Sequence, residues 1–223
     1  MLTKIENLFP SKTLKDIHQL LSEAPFINGK LSTGMAAKEV KNNLEMDNNS
    51  EHYNHLNELI MGRLVRHPLY RASCWPKQIS APFYARYEPG MGYGEHVDDP
   101  VMGQVGDYYR SDISLTIFLS NKNDYDGGEL VILDSFGEQR IKLDAGSVVF
   151  YPSSSRHYVT PVTRGIRLVA VTWVQSTIRD PQKREILFEL NEARELLLQQ
   201  PESDASKKVS AVFNNLVRAW IDV

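Results

Sequence analysis

Between residues 78 and 176 the chain is a succession of short strand-like segments with no helix-length stretch between them. Segments 83–88, 113–119, 129–133, 139–143, 147–151, 158–161 and 166–174 carry the apolar, β-branched or aromatic content of strands. Pro89-Gly90, Asp126-Gly127-Gly128, Phe136-Gly137, Ala145-Gly146 and Arg164-Gly165 punctuate them, and Asp126-Gly127-Gly128 reads as a hairpin turn. A parallel sheet needs crossover helices, and none fits here. This region therefore folds as an antiparallel sandwich or barrel.

The flanks are helical. After Pro10, with Ser11 as the expected N-cap, Leu14, Ile17, Leu20 and Leu21 recur at helical spacing. Leu56, Leu59, Ile60 and Leu64 form a second stripe ending near His67-Pro68. Asp180-Pro181 opens a third helix with Ile186, Leu187, Leu190, Leu196 and Leu197. Val209, Val212, Phe213, Leu216, Val217 and Trp220 form the last. The expected organisation is an α+β fold with a helical flank over 1–77, a β core over 78–177 and a helical appendage over 178–223. The stripes of that appendage need a cover, either the β core or a second copy in a homo-oligomer.

Composition narrows the function classes. The chain has 25 basic and 28 acidic residues, a net charge of −3, so no electrostatic footprint for nucleic acid or an anionic membrane is present. A single cysteine, Cys74, excludes an internal disulfide and any thiolate-pair zinc site. The longest apolar runs are far too short to span a bilayer, and the N-terminus lacks the apolar core of a secretory signal. A cytoplasmic protein is expected.

The chemistry centres on His96-Val97-Asp98. In extended backbone, residues two apart project to the same face, so the imidazole and carboxylate can converge. Such a pair arises by chance in about a third of chains of this composition, and alone it reads equally well as a surface pair. His157 and Arg167 sharpen it. Two histidines and one carboxylate make the facial triad of non-haem Fe(II) oxygenases, which leaves metal positions open. His157 and Arg167 flank a turn near 160–165, so a hairpin is expected to bring them together. Arg167 shares a strand face with Val169, Val171 and Trp173, while Leu168, Ala170 and Val174 lie on the other. With both faces apolar, its guanidinium needs an anionic partner: an internal acid or a ligand carboxylate.

Other constellations carry less. His52 and His55 lie three apart on a helix without a third ligand. Gly90, Gly92 and Gly94 lead into His96 and not into a helix, so they form no phosphate loop. Ser153-Ser154-Ser155 lacks a nucleophile-elbow pattern.

The ordered run Tyr87-Glu88-Pro89-Gly90-Met91-Gly92-Tyr93-Gly94-Glu95-His96-Val97-Asp98 resembles one family. So do Tyr125-Asp126-Gly127-Gly128-Glu129-Leu130 and His157 with Pro161, Gly165, Arg167 and Trp173. The family is the Fe(II)- and 2-oxoglutarate-dependent dioxygenases of the prolyl 4-hydroxylase type, and within it the bacterial PKHD-type hydroxylases, some described as iron-uptake factors. The resemblance implies a double-stranded β-helix core, jelly-roll and cupin-like. It implies Fe(II) held by His96, Asp98 and His157, which are also the catalytic residues. It places the distal carboxylate of 2-oxoglutarate on Arg167, with Tyr87 helping, and puts Tyr93 and Trp173 in the substrate pocket. Prolyl 4-hydroxylases more often carry Lys where Arg167 stands; Arg keeps the charge and adds a bidentate fork. The implied reaction consumes O2, converts 2-oxoglutarate to succinate and CO2, and hydroxylates an unactivated C–H of a peptide or small-molecule substrate, supported by L-ascorbate. Two rivals stay open at this point. One is a non-catalytic sensor of iron and 2-oxoglutarate; the other is a cupin-type Mn or Zn enzyme that does not use 2-oxoglutarate.

Overall fold

The ten-residue strand Arg167–Ser176 (β17) is the hub of the fold, in a computed structural model that describes residues 1–32 and 39–222. It pairs with Ile113–Phe118 (β10) along one edge, and with Phe83–Tyr87 (β6) and Pro76–Ile79 (β5) along the other. Beyond β10 lie Val148–Pro152 (β14) and Thr3–Ile5 (β1); beyond β6 lie Leu44–Met46 (β4) and Phe26–Asn28 (β2). This is the larger sheet. A smaller sheet runs Gly137–Ile141 (β13), Leu130–Asp134 (β12), Arg156–Val159 (β15), Gly92–His96 (β7) and Lys41–Asn42 (β3). Two short ladders join Asp126–Gly127 (β11) to Val162–Arg164 (β16), and Val101–Gln104 (β8) to Asp107–Arg110 (β9). Every one of these pairings is antiparallel, giving the expected jelly roll.

Period-two alternation sorts the side chains into layers. From β10, Ile113, Leu115 and Ile117 pack beneath Ser11–Glu23 (α1) and His52–Leu64 (α2), against Ile17, Leu21, Leu56, Ile60 and Leu64. Each such buried aliphatic contributes roughly 1.5–3 kcal/mol. Phe118, on the opposite face, joins Ala85, Leu130, Ile132, Val149 and Val169 in a second core. The two faces of β17 divide as the sequence pattern indicates. Leu168, Ala170 and Val174 belong to the helix-covered core, and Val169 lies in the second core.

Several local expectations are corrected. Ser11 is the first residue of α1 and not its cap; extended Pro10 precedes it and no side chain caps the helix. An additional helix, Pro68–Cys74 (α3), follows His67, whose ring nitrogen accepts from the Leu69 amide. The segment leading into His96 is itself strand β7. The strand expected over 158–161 is β15, shifted toward the N-terminus so that His157 lies within it. Pro161 has no N–H and cannot extend that ladder. His157 and Arg167 do not share a hairpin. β15 belongs to the smaller sheet and β17 to the larger, and the chain between them forms β16, which pairs with β11. Asp126-Gly127-Gly128 accordingly starts that ladder and is not a hairpin turn.

At the C-terminus, Asp180 caps Pro181–Leu197 (α4) by accepting from the Gln182 and Lys183 amides. Asp204–Trp220 (α5) packs on it. Leu187 and Phe213 meet Ile178, with Trp75, Leu190 and Leu216 around them, in a third core. Ile186, Leu196 and Val212 stay exposed, so the covered stripe is narrower than the sequence suggests. No helix among the described residues is long and apolar enough to cross a membrane.

Candidate active site

The smaller sheet places two histidines side by side. His157 on β15 is registered opposite His96 on β7, and their ring centroids are 4.3 Å apart. His96 Nδ1 lies 2.9 Å from the Gly94 carbonyl oxygen and His157 Nδ1 3.0 Å from that of Ser155. A carbonyl only accepts, so both Nδ1 atoms carry the proton and both Nε2 lone pairs are free. Burial, reinforced by the neighbouring His157, holds the His96 pKa below the ordinary histidine value, which keeps that lone pair available.

Asp98 completes the cluster from the loop after β7. Its Oδ1 is 3.8 Å from Nε2 of His96 and 3.8 Å from Nε2 of His157. One ligand atom from each of the three residues lies within 4.8 Å of the others. The second oxygen is engaged elsewhere. Oδ2 accepts from Ser114 Oγ and, at 2.9 Å, from the Trp173 indole N–H. Ser153 Oγ stands 2.8 Å from Ser114 Oγ and extends this support. The carboxylate is thereby oriented to present one oxygen, and each histidine is fixed in one tautomer. Two imidazole nitrogens and one carboxylate oxygen are the donor set that suits non-haem Fe(II).

The triad opens onto a cavity of about 870 Å³ between the sheets. Arg167 lines it from the larger sheet, at 1% exposure. Its Nε and Nη1 have no hydrogen-bond partner among the described residues. Of the two readings open for this residue, no acid among the described residues pairs with it; the guanidinium instead lies 4.8 Å from the ring centroid of Tyr87, its register partner on β6. Burial raises the Tyr87 pKa and the Arg167 charge opposes the rise. A buried guanidinium without an acidic partner among the described residues is costly, so this end of the cavity can accommodate an anion.

Gly128 makes that possible. Its φ of +61° is left-handed, and a Cβ there would stand 2.9 Å from Arg167 Cδ and 3.0 Å from the Tyr125 ring.

Tyr93 and Trp173 also line the cavity. Tyr93 stacks on His96 at 3.8 Å, while Trp173 acts on Asp98 through its N–H, a positioning contact the sequence alone does not reveal. Motif reading named Tyr125 without a role, and missed Ser114 and a polar strip at Lys41, Asn43 and Glu45. The Tyr125 hydroxyl is buried near the Arg167 guanidinium, and the polar strip borders the cavity. The one available signal was polar residues at alternate positions of a strand-length segment. His52, by contrast, lies on α2 near Glu23 and Glu51, away from the cavity lining.

Residues 82–175 match the model of the 2OG-Fe(II) oxygenase superfamily. The chain is 46% identical to a PKHD-type hydroxylase of Thioalkalivibrio sulfidiphilus over 224 residues, covering all of both chains. Solved structures share the fold at low identity. A Trichoplax adhaerens prolyl hydroxylase in complex with a hypoxia inducible factor peptide fragment matches with TM-score 0.57 and 16% identity, over 83% of this chain and 86% of that one. HygX from Streptomyces hygroscopicus, with nickel, 2-oxoglutarate and hygromycin B bound, gives 0.53 and 10%, over 79% and 83%.

Proposed function

The chain belongs to the PKHD-type hydroxylases of the 2OG-Fe(II) oxygenase superfamily, and from that premise we propose that His96, Asp98 and His157 hold the Fe(II) of this dioxygenase while Arg167 binds the distal carboxylate of 2-oxoglutarate. One observation carries the reading: the two-histidine, one-carboxylate cluster and the orphaned buried Arg167 open into the same cavity.

Bound iron supplies the activation of O2 that oxidises 2-oxoglutarate to succinate and hydroxylates a C–H of the substrate. The remaining work belongs to the chain. Nε2 of His96, Nε2 of His157 and Oδ1 of Asp98 would hold the metal, and all three residues line the cavity. Ser114 and Trp173 keep Asp98 from swinging to present its second oxygen. Arg167 would hold the distal carboxylate of the cosubstrate through its guanidinium. Tyr87 backs the guanidinium with its ring and would help hold the cosubstrate. The apolar surround of Leu130, Val159 and Val171 limits water near the reacting atoms.

The substrate is proposed to be peptidyl or amino-acid-like, with L-ascorbate sustaining turnover, in a cytoplasmic setting linked to iron homeostasis. Support for the substrate comes from the fold shared with a peptide-bound prolyl hydroxylase. The other points are supported by the family resemblance. Purified protein with Fe(II), 2-oxoglutarate, ascorbate and air is expected to release succinate slowly, and cell extract to accelerate it. Release no greater than that of Asp98→Ala overturns the site assignment. Unaltered growth of a deletion strain under iron limitation overturns the homeostatic link.

A further inference from the structure

One face of β10 runs from the metal cluster to Arg167. By alternation Ser114, Thr116 and Phe118 share that face, with neighbours about 7 Å apart along the strand. Ser114 donates to Asp98 at one end. The Phe118 ring centroid lies 5.9 Å from the Arg167 guanidinium at the other. Thr116 stands between them, 3% exposed, and lines the cavity. Tyr151, on the neighbouring strand β14, starts level with Ser114, its register partner. Its ring meets the His157 ring edge-on, with centroids 5.1 Å apart and planes at 66°. It too lines the cavity and is almost wholly buried. Motif reading gave neither Thr116 nor Tyr151 a role.

The Tyr151 hydroxyl reaches the level of Thr116. Burial raises its pKa well above the ordinary tyrosine value and the Asp98 charge adds to the rise; a hydrogen bond with Thr116 and the Arg167 charge oppose it. A hydrogen bond that favours the phenolate is one the phenol oxygen accepts. Thr116 is therefore the donor, and the Tyr151 proton is left for another acceptor. The charges of Asp98 and Arg167 both act on this oxygen, which accords with its place between the metal cluster and the guanidinium. The core that Tyr151 belongs to is otherwise apolar, with Leu130, Val149, Val159 and Val169. Phenylalanine and valine would fill the space of Tyr151 and Thr116, and buried hydroxyls destabilise such a core unless each finds a partner.

A 2-oxo acid that chelates a metal through its 1-carboxylate and keto oxygen leaves the second carboxylate oxygen off the metal. That oxygen is anionic and only accepts. With His96, Asp98 and His157 on one side and Arg167 on the other, this end of the cosubstrate falls in the interval where Tyr151 offers a donor. We propose that Tyr151 is a further cosubstrate-binding residue, its hydroxyl donating to the chelating carboxylate of 2-oxoglutarate, with Thr116 as the positioning residue behind it. This rests on the oxygenase site proposed above and adds an anchor at the end opposite Arg167.

The test is an anaerobic titration of the full chain with Fe(II) and then 2-oxoglutarate. Tyr151→Phe keeps the ring against His157 and loses only the hydroxyl, so its melting temperature should not fall and its iron affinity should stay within about twofold. 2-Oxoglutarate should bind roughly 10-fold or more weakly, as expected for one lost hydrogen bond to a charged group. The charge-transfer maximum should move to shorter wavelength, because the lost bond drew electron density from the chelate. Thr116→Val should weaken 2-oxoglutarate by about 2–10-fold and add little in the Tyr151→Phe background, since it acts through Tyr151. The role of Tyr151 is overturned if Tyr151→Phe binds 2-oxoglutarate like the unaltered chain, or if the band does not move. A loss of iron affinity of about tenfold before 2-oxoglutarate is added also overturns it, by returning the ring to the support of His157. No band in the unaltered chain overturns the oxygenase site itself. A normal band there with an unresponsive Tyr151→Phe overturns only the role of Tyr151.

Discussion

At the deep end of the cavity Arg167 and Tyr87 are almost wholly buried, with guanidinium nitrogens left unpaired. At the outer end the β8–β9 hairpin also lines the cavity, yet Val105 is 90% exposed and Tyr108 62%. The deep end tolerates a large desolvation cost to hold a charge in one place, which suits a cosubstrate that never changes. The outer end bears no such cost. Its hairpin is tied down through Tyr109, which is buried, and through the Arg110–Asp112 ion pair at 2.6 Å, leaving its tip to solvent. The buried charge is held within the sheets, and the exposed hairpin lies at their rim.

Substitutions should grade along this axis. The largest effect belongs to the metal cluster: His157→Ala should lose most bound iron by elemental analysis while circular dichroism shows a folded protein. Full iron occupancy in that variant would break the comparison at its root. Arg167→Ala comes next. Truncating one partner of a buried charge-assisted pair costs ~2–5 kcal/mol, so 2-oxoglutarate should bind roughly 30-fold to several thousandfold more weakly in calorimetry. Arg167→Lys should fall between, keeping the charge and losing the fork.

Trp173→Phe tests the support behind Asp98. It removes one of the two donors to Oδ2 and keeps an aromatic ring against Phe83, so iron affinity should drop by about 10–100-fold. An unchanged affinity would leave Trp173 as a packing residue. The smallest effect is expected at the hairpin tip, where Val105→Ser should move stability by no more than about 0.5 kcal/mol in thermal melts. A larger loss would show that the outer end is held as tightly as the deep one.

The sequence made the deep end readable for a physical reason. Arg167 stands out because a charge on a strand apolar on both faces must be buried, and His96, Asp98 and His157 stand out because they fall in an ordered run of motifs that resembles one family. Lys41, Asn43 and Glu45 left no such signal. Polar residues at alternate positions look like a loop, and here they are the inward face of a strand pair bordering a polar cavity, a local inversion of the usual pattern. The β8–β9 hairpin was missed likewise, since Gly103 and Gly106 interrupt its alternation. The hairpin expected between His157 and Arg167 failed because both strands found partners elsewhere, in different sheets.

One cavity is proposed to hold Fe(II) on His96, Asp98 and His157 and 2-oxoglutarate on Arg167. The most direct test is an anaerobic titration of the full chain with Fe(II) and then 2-oxoglutarate, followed by the visible charge-transfer absorption of a chelated keto acid. A saturable band with one equivalent of each is expected, absent in Asp98→Ala and displaced to much higher 2-oxoglutarate concentration in Arg167→Ala. No band in the unaltered protein, or the same titration curve in Arg167→Ala, would contradict it.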